Sequence, residues 1–315
     1  MMTRVAAFDC GTNSLRLLVA DVDADAGTLV DVEREMRIVR LGEGVDRTGR
    51  LSERALERTL GTTAEYAQRC RELGVEQLRF VATSASRDAE NRADFVDGVR
   101  DLLGVEPEVI TGDEEAALSY TGATFELLAD DVPGPFLVVD IGGGSTEVVR
   151  GNGRDVESAL SVDIGCVRLT ERHLHSDPPA LAELDAARAD IEHALDRVAH
   201  AVALQGIRTL VGLAGSVTTV AATALGLTGY DPQQIHRASL GVDQVRAACG
   251  LLTSMTRAER GELPFMHPGR VDVIGAGALV WRHVVDRVAA ESGITQALAS
   301  ERDILDGIAF SIAGA

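Results

Sequence analysis

Two stretches of the chain put the same apolar and polar positions in the same order. Residues 7–19 read Ala-Phe-Asp-Cys-Gly-Thr-Asn-Ser-Leu-Arg-Leu-Leu-Val, and residues 138–149 read Val-Val-Asp-Ile-Gly-Gly-Gly-Ser-Thr-Glu-Val-Val. In each, an apolar run meets an Asp, then a Gly two positions on, a Ser five positions on, and apolar residues again. Asp9, Gly11 and Ser14 return as Asp140, Gly142 and Ser145 at one constant offset (140 − 9 = 131). The pattern predicts a strand, a tight polar turn and a second strand, made twice.

Around these hairpins the pattern is mixed α/β. Residues 28–40 continue as a third strand, Leu29 to Val39. Leu56, Leu60, Ala64 and Ala67 recur at helical spacing, predicting a helix over 52–73 that ends at Gly74. Short strands are expected at Leu78–Ala82 and Glu108–Thr111, with helices at Phe95–Leu103 and Glu114–Leu128. The charged, Pro/Gly-rich stretch Asp130–Pro135 is the best linker candidate, and Phe136 opens the second hairpin. A strand around Ala159–Ile164 and a long helix over about 180–204, with proline in its first turn, follow. Then come a strand at Leu210–Leu213, a helix opened by Gly215-Ser216, helices over 243–255 and 271–290, a strand at Thr295–Ala299 and a helix at Ile304–Ile312. The order β-β-β-α-β-α, twice in outline, predicts a duplicated mixed-sheet fold, not a Rossmann unit.

Composition narrows the function classes. The 315 residues suit about two domains. No run reaches the ~18 apolar residues of a membrane span, and Met1-Met2-Thr3-Arg4 runs straight into a strand without a signal-peptide layout. Cys10, Cys70, Cys166 and Cys249 are scattered, which fits neither a zinc site nor a disulfide framework and points to a reducing cytoplasm. The formal charge of −19 argues against nucleic acid and acidic membranes as partners. A polyanionic ligand would need local attraction from backbone dipoles, a bound cation and arginine, since the chain has no Lys.

Five motifs carry candidate chemistry. The three consecutive glycines of Asp140–Glu147 exceed what a hairpin turn needs and, with the matching turn Gly11-Thr12-Asn13-Ser14, suit close approach to a phosphate. Gly212–Thr219 is a third glycine turn, from strand into helix, where an anion competes with Ser216 acting as an ordinary N-cap. Thr111-Gly112-Asp113-Glu114-Glu115-Ala116 sets three carboxylates at a strand-to-helix junction; one of them, crowded by the others, could take a proton from water. Arg87, after Thr83-Ser84-Ala85-Ser86, is a candidate phosphate clamp. His173 and His175 lack the companion ligands of a metal site and fit a solvated pair; Asp140 and Glu147 suit a hard cation such as Mg²⁺ better.

Assembled in this order, with Ser300-Glu301-Arg302-Asp303 near the end, these segments resemble the exopolyphosphatase/guanosine pentaphosphate phosphohydrolase family. That family belongs to the actin-like ATPase superfamily of ribonuclease H-like folds. The resemblance implies a two-domain clamshell: domain I from residues 1–130 plus 301–315, whose last helix packs back, and domain II from 131–300. It implies release of orthophosphate from the end of a phosphoanhydride chain. Glu115, the second acid of the Glu-Glu-Ala motif, falls on the catalytic glutamate. The phosphate-binding turns fall on Gly11, Thr12, Asn13 and Ser14 and on Gly142, Gly143, Gly144 and Ser145, with Gly215 and Ser216 as a third contact and Arg87 as the clamp. The metal-associated acids fall on Asp140 and Glu147, with Asp9 as a further candidate; Mg²⁺ is expected and Mn²⁺ is the other candidate.

Longer members carry an additional C-terminal helical domain, so this chain reads as the short form, and short-chain inorganic polyphosphate is the expected substrate. Guanosine pentaphosphate or a nucleoside triphosphate on the same fold is the alternative; a nucleoside would need stacking or apolar walls beside Gly212–Thr218, and the chain's poverty in aromatics weakly disfavours it. An ATP-gated binding protein or a sugar kinase fits the superfamily but leaves the Glu115 motif unexplained. The family also implies a homodimer. Because Asp9 and Asp140 repel phosphate, they make sense only with a cation, and the triple glycine and Glu147 place that chemistry in the second copy.

Overall fold

The computed structural model describes residues 2–313. The chain divides into two compact units, unit 1 from residues 1–125 and 303–315 and unit 2 from 126–302.

Unit 1 is built on β1 (Thr3–Cys10), β2 (Ser14–Asp23), β3 (Thr28–Ile38), β4 (Gln77–Ala82) and β5 (Glu108–Val109), in the sheet order β3-β2-β1-β4-β5. β1 pairs antiparallel with β2 and parallel with β4. The helices are α1 (Val45–Thr48), α2 (Glu53–Glu72), α3 (Ser84–Asp88), α4 (Arg92–Leu103), α5 (Gly112–Ala129) and the last helix of the chain, α13 (Ile304–Ala313). β1 is apolar on both faces because both are covered. Ala6, Phe8 and Cys10 pack with Tyr66 of α2 and Phe95 of α4. Val5 and Ala7 pack with Ile304, Leu305, Ile308 and Ile312 of α13. The period-2 alternation therefore puts Asp9 on the α13 face. Gly122 and Gly307 let α5 and α13 touch backbone to backbone: a Cβ on Gly122 would lie 1.7 Å from the Asp303 carbonyl, and one on Gly307 2.0 Å from that of Leu118.

Unit 2 repeats the plan with an added edge. β6 (Phe136–Ile141), β7 (Thr146–Asn152), β8 (Asp155–Val162), β9 (Thr209–Leu213), β10 (Ser239–Gly241) and β11 (Gln296–Ala299) form the order β10-β11-β9-β6-β7-β8. Its helices are α6 (Cys166–His173), α7 (Leu181–Ala201), α8 (Ala214–Leu225), α9 (Pro232–Ile235), α10 (Val242–Ser254), α11 (Arg257–Gly261) and α12 (Ile274–Ser292), with a 3₁₀ turn at Pro268–Arg270. The duplication reaches fine detail. The register of β2–β3 shifts between Val19 and Ala20, and that of β7–β8 between Arg150 and Gly151, again 131 residues on (150 − 19).

Several boundaries differ from the sequence reading. The change of unit falls inside α5, while Asp130–Pro135 lies within unit 2, tied by an Arg237–Asp130 ion pair and by the Thr209 hydroxyl donating to the Pro133 carbonyl. α7 starts after both prolines, because Glu183 accepts from the backbone N–H groups of His175, Ser176 and Ala180 and so caps the helix itself. α6 was not expected. Its eight residues hold three apolar positions, too short a run to show a period.

Candidate functional site

The two polar turns share one local geometry. In the first, the Gly11 N–H donates to the Ser14 carbonyl at 3.0 Å; in the second, Gly142 N–H donates to Ser145 at 3.0 Å. The segment after the third strand backs each turn. The Thr12 carbonyl accepts from Gly42 N–H (2.9 Å), and that of Asn13 from Val39 and Arg40 (3.0 and 2.9 Å). In the second turn the backing is the N-terminus of α6. Gly142 O accepts from Cys166 N–H (3.0 Å), Gly143 O from Val167 and Arg168 (2.9 and 3.1 Å), and Gly144 O from Gly165 N–H (3.2 Å) and from Arg168 Nε (2.8 Å). In a trans peptide plane the N–H of the next residue points opposite to such a carbonyl. The amides of Asn13 and Ser14, and of Gly143, Gly144 and Ser145, therefore face away from their backing segments, as an anion-binding nest requires. Gly165 is essential to the second arrangement, since a Cβ there would lie 2.2 Å from the Gly143 carbonyl oxygen.

The carboxylates of the two copies diverge. Asp140 and Glu147 are direct cross-strand partners in the β6–β7 ladder and both are buried. They share the sheet face opposite Leu137, Val139 and Val148, which belong to the unit 2 core. Ser161 donates its hydroxyl to Glu147 Oε1 at 2.7 Å. Like charges opposed across a ladder repel, and a divalent cation relieves this. In the first copy the same register pairs Asp9 with Arg16. Arg16 donates to Asp9 Oδ2 through Nε (2.9 Å) and Nη2 (2.6 Å), and through Nη1 to Asp303 at the start of α13. Burial pushes the Asp9 carboxyl above the usual aspartate range, with Arg16 pulling it partly back. Asp9, the further candidate for the metal, thus already faces a cation in Arg16.

Glu115 is buried in the first turn of α5, where its N–H bonds the Thr111 carbonyl. The three acids there do not crowd one another. Asp113 is exposed, Glu114 pairs with Arg79 (2.6 Å), and Glu115 Oε2 accepts from Arg87 Nη1 at 3.2 Å. Arg87 also donates to the Ile110 carbonyl at 2.9 Å. The Thr12 and Ser84 hydroxyls are hydrogen bonded at 2.8 Å, which ties the first turn to the α3 segment carrying Arg87.

Ser216 is not an N-cap. α8 starts at Ala214, which adopts φ +65°, and Leu213 occupies the cap position without a side-chain bond. Ser216 is buried, and a Cβ on Gly277 would lie 2.1 Å from its hydroxyl. Arg270 packs over Gly215, donating weakly to its carbonyl at 3.4 Å. His173 closes α6 against Asp190 (3.1 Å), while His175 is exposed, so the two share no face. Among the described residues no group of three or more His, Cys, Asp or Glu gathers as a metal site, and no helix is long and apolar enough to cross a membrane. A pair of carboxylates beside a phosphate turn still fits Mg²⁺, which keeps waters and takes substrate oxygens alongside one or two protein ligands. Sequence reasoning gave no role of their own to Arg16, Asp303, Ser161, Arg168 and Arg270. Arg16 was readable, because it stands 131 residues before Glu147 (147 − 16).

The model of the Ppx/GppA phosphatase family matches residues 18–311. The chain belongs to this family. Exopolyphosphatase 2 of Mycobacterium tuberculosis is 49% identical over 320 residues, covering 99% of each chain. Among solved structures, an exopolyphosphatase-like protein is 44% identical with a TM-score of 0.95, covering 98% of this chain and 97% of its own. The Aquifex aeolicus Ppx/GppA member is 32% identical with a TM-score of 0.81, covering 99% and 97%. The duplicated α/β fold with its two mixed sheets is accordingly the fold of Ppx/GppA proteins.

Proposed function

We propose that this Ppx/GppA phosphatase is an exopolyphosphatase that removes orthophosphate from the end of short inorganic polyphosphate. The observation that carries the reading is the turn Gly142–Ser145. Its carbonyls are drawn to the α6 N-terminus and its amides turned away, directly beside the buried pair Asp140 and Glu147. The name of the M. tuberculosis relative supports it.

The amides of Gly143, Gly144 and Ser145 bind the terminal phosphate oxygens, and those of Asn13 and Ser14 form a second phosphate cradle in unit 1. Ser216 and the Gly215 turn add a third contact, and Arg87 clamps phosphate oxygens with its guanidinium. Asp140 and Glu147 would hold Mg²⁺, or Mn²⁺, which when bound neutralises charge on the phosphate oxygens. Glu115 accepts a proton from water as the water oxygen attacks the terminal phosphorus. The anhydride P–O bond breaks, orthophosphate departs, and the polymer one unit shorter leaves with the electron pair. Arg87 donates to Glu115 in the structure, so the clamp and the base are held side by side. We place the enzyme in the cytoplasm and expect a homodimer.

The test is phosphate release from polyphosphates of graded length and from guanosine pentaphosphate, with and without Mg²⁺. Release from short polyphosphate that falls by at least ~100-fold in Glu115→Ala is expected. Preference for guanosine pentaphosphate would replace the substrate, and equal rates in Glu115→Ala would remove the assigned base.

A further inference from the structure

We propose that Arg16 is a built-in cation standing where the first copy would otherwise bind a metal, so that Asp9 and Asp303 hold a guanidinium and the chain keeps one divalent-cation site, at Asp140 and Glu147. The location of that one site rests on the reading above; the role of Arg16 does not.

Asp9 and Asp140 correspond, and the residue facing each across its hairpin is Arg16 in unit 1 and Glu147 in unit 2, at the same offset of 131 (140 − 9, 147 − 16). One ladder position has thus changed sign between the copies. Arg16 is no loose surface cation. Its side chain is 17% exposed and those of Asp9 and Asp303 are 7% each, and it grips both carboxylates. Asp9 Oδ2 accepts two of its N–H groups, and Asp303 Oδ1 also accepts the Leu305 N–H at 3.0 Å. Both carboxylates lie within hydrogen-bond reach of one guanidinium.

A guanidinium differs from a metal in useful ways. It stays charged at any physiological pH, cannot be removed by chelation, and its donors are fixed in a planar fork. It fills the space between Asp9 and Asp303 with positive charge, which excludes a cation and keeps two buried acids compatible. Arg16 is a positioning residue in this account. It makes the first turn a metal-free phosphate cradle and confines exchangeable metal to the second.

Mn²⁺ alone, titrated into the full-length protein and counted by the electron paramagnetic resonance signal of the free ion, tests this. Wild type is expected to bind one Mn²⁺ per chain and Glu147→Gln none, while Asp9→Asn keeps one. Arg16→Gln is expected to gain a second Mn²⁺ and Arg16→Lys to stay at one. The double variant Arg16→Gln/Asp9→Asn should return to one. Loss of Mn²⁺ in Asp9→Asn, two ions in wild type, or no gain in a folded Arg16→Gln overturns the proposal. Should Arg16→Gln fail to fold, the Asp9→Asn count decides alone. Wild type binding none would remove the Asp140–Glu147 reading, and a gain in Arg16→Gln would still uphold the role of Arg16.

Discussion

Asp140 and Glu147 face each other across the β6–β7 ladder at the register position where Asp9 faces Arg16 in β1–β2. One backbone plan thus carries two electrostatic solutions. The first copy is closed by an internal ion pair, and the second presents two acids beside a turn of outward amides. A protein of net charge −19 needs local devices to hold a polyanion. Amide nests supply fixed partial charge without side chains, and a carboxylate pair supplies a cation socket.

The cradle depends on Gly165. A methyl group at this position would meet the Gly143 carbonyl carbon at 2.3 Å and the Gly144 nitrogen at 2.4 Å, so Gly165→Ala must push the turn off the α6 N-terminus. Phosphate release is expected to fall by ~100-fold or more, the scale of losing one oriented donor to a developing charge. Thermal melting measured in parallel separates this loss from general unfolding, and activity is compared well below the melting point of the variant. Unchanged turnover in Gly165→Ala would mean that the turn does not bind the reacting phosphate.

Arg87 and Glu115 make the second prediction. The 3.2 Å contact holds base and clamp together, so removing the guanidinium removes a phosphate contact and a partner of Glu115 at once. Arg87→Gln is expected to raise KM for short polyphosphate by ~10-fold or more, about the loss of one charge-assisted hydrogen bond. Arg87→Lys should recover part of that, because Lys keeps the charge but loses the second bond to the Ile110 carbonyl. Steady-state kinetics on the three proteins separates KM from kcat. A KM unmoved in Arg87→Gln would refute the clamp.

Much of this was legible in the sequence, for reasons that can be named. The hairpins were readable because both faces of β1 and β6 are buried and the apolar runs stop at Asp and Gly. The helix over 52–73 was readable from its single apolar stripe; the structure adds that Ser52 caps it by accepting from the Ala55 N–H. Long-range partners were not. Arg16 and Asp303 are 287 residues apart in sequence and meet only because α13 returns to the Asp9 face of β1. The divergence of Asp113, Glu114 and Glu115 was equally hidden, since a helix turns ~100° per residue and sends neighbouring acids to different partners.

The seat of α13 gives a stability prediction. Asp306 is fully buried, and Arg34 Nη2 donates to its Oδ1 at 2.6 Å. The Asp303 N–H bonds its other oxygen at 2.9 Å. The Asp306, Asp303 and Asp31 charges outweigh the cost of burying Arg34 and raise its pKa. Arg34→Ala removes a buried ion's partner and is expected to cost about 3 kcal/mol. Urea unfolding should show this as a lower midpoint at an unchanged slope. A loss under ~0.5 kcal/mol would show that burying Asp306 does not depend on Arg34.

Glu126 carries an acid-side signature. Its hydrogen bond from His236 Nε2 (2.7 Å) and its pairing with Arg302 Nε (2.9 Å) hold its pKa below the usual glutamate value, against the opposing effect of burial. The Glu301 N–H donates to His236 Nδ1 at 3.2 Å, which assigns the proton to Nε2 and aims it at Glu126. A carboxylate with a depressed folded pKa binds fewer protons folded than unfolded just below its ordinary pKa of ~4.3. Its contribution is complete above that pH and is lost as pH falls through the lower folded value. Glu126 is 30% exposed on its side chain, so solvent screening keeps the effect modest, about 1 kcal/mol or less. Glu126→Gln should therefore lower stability at pH 7 by that amount and converge with wild type as pH drops towards 3. Urea midpoints measured for both proteins from pH 7 to 3 check this, and parallel curves across the whole range would show that the ionised Glu126 contributes nothing.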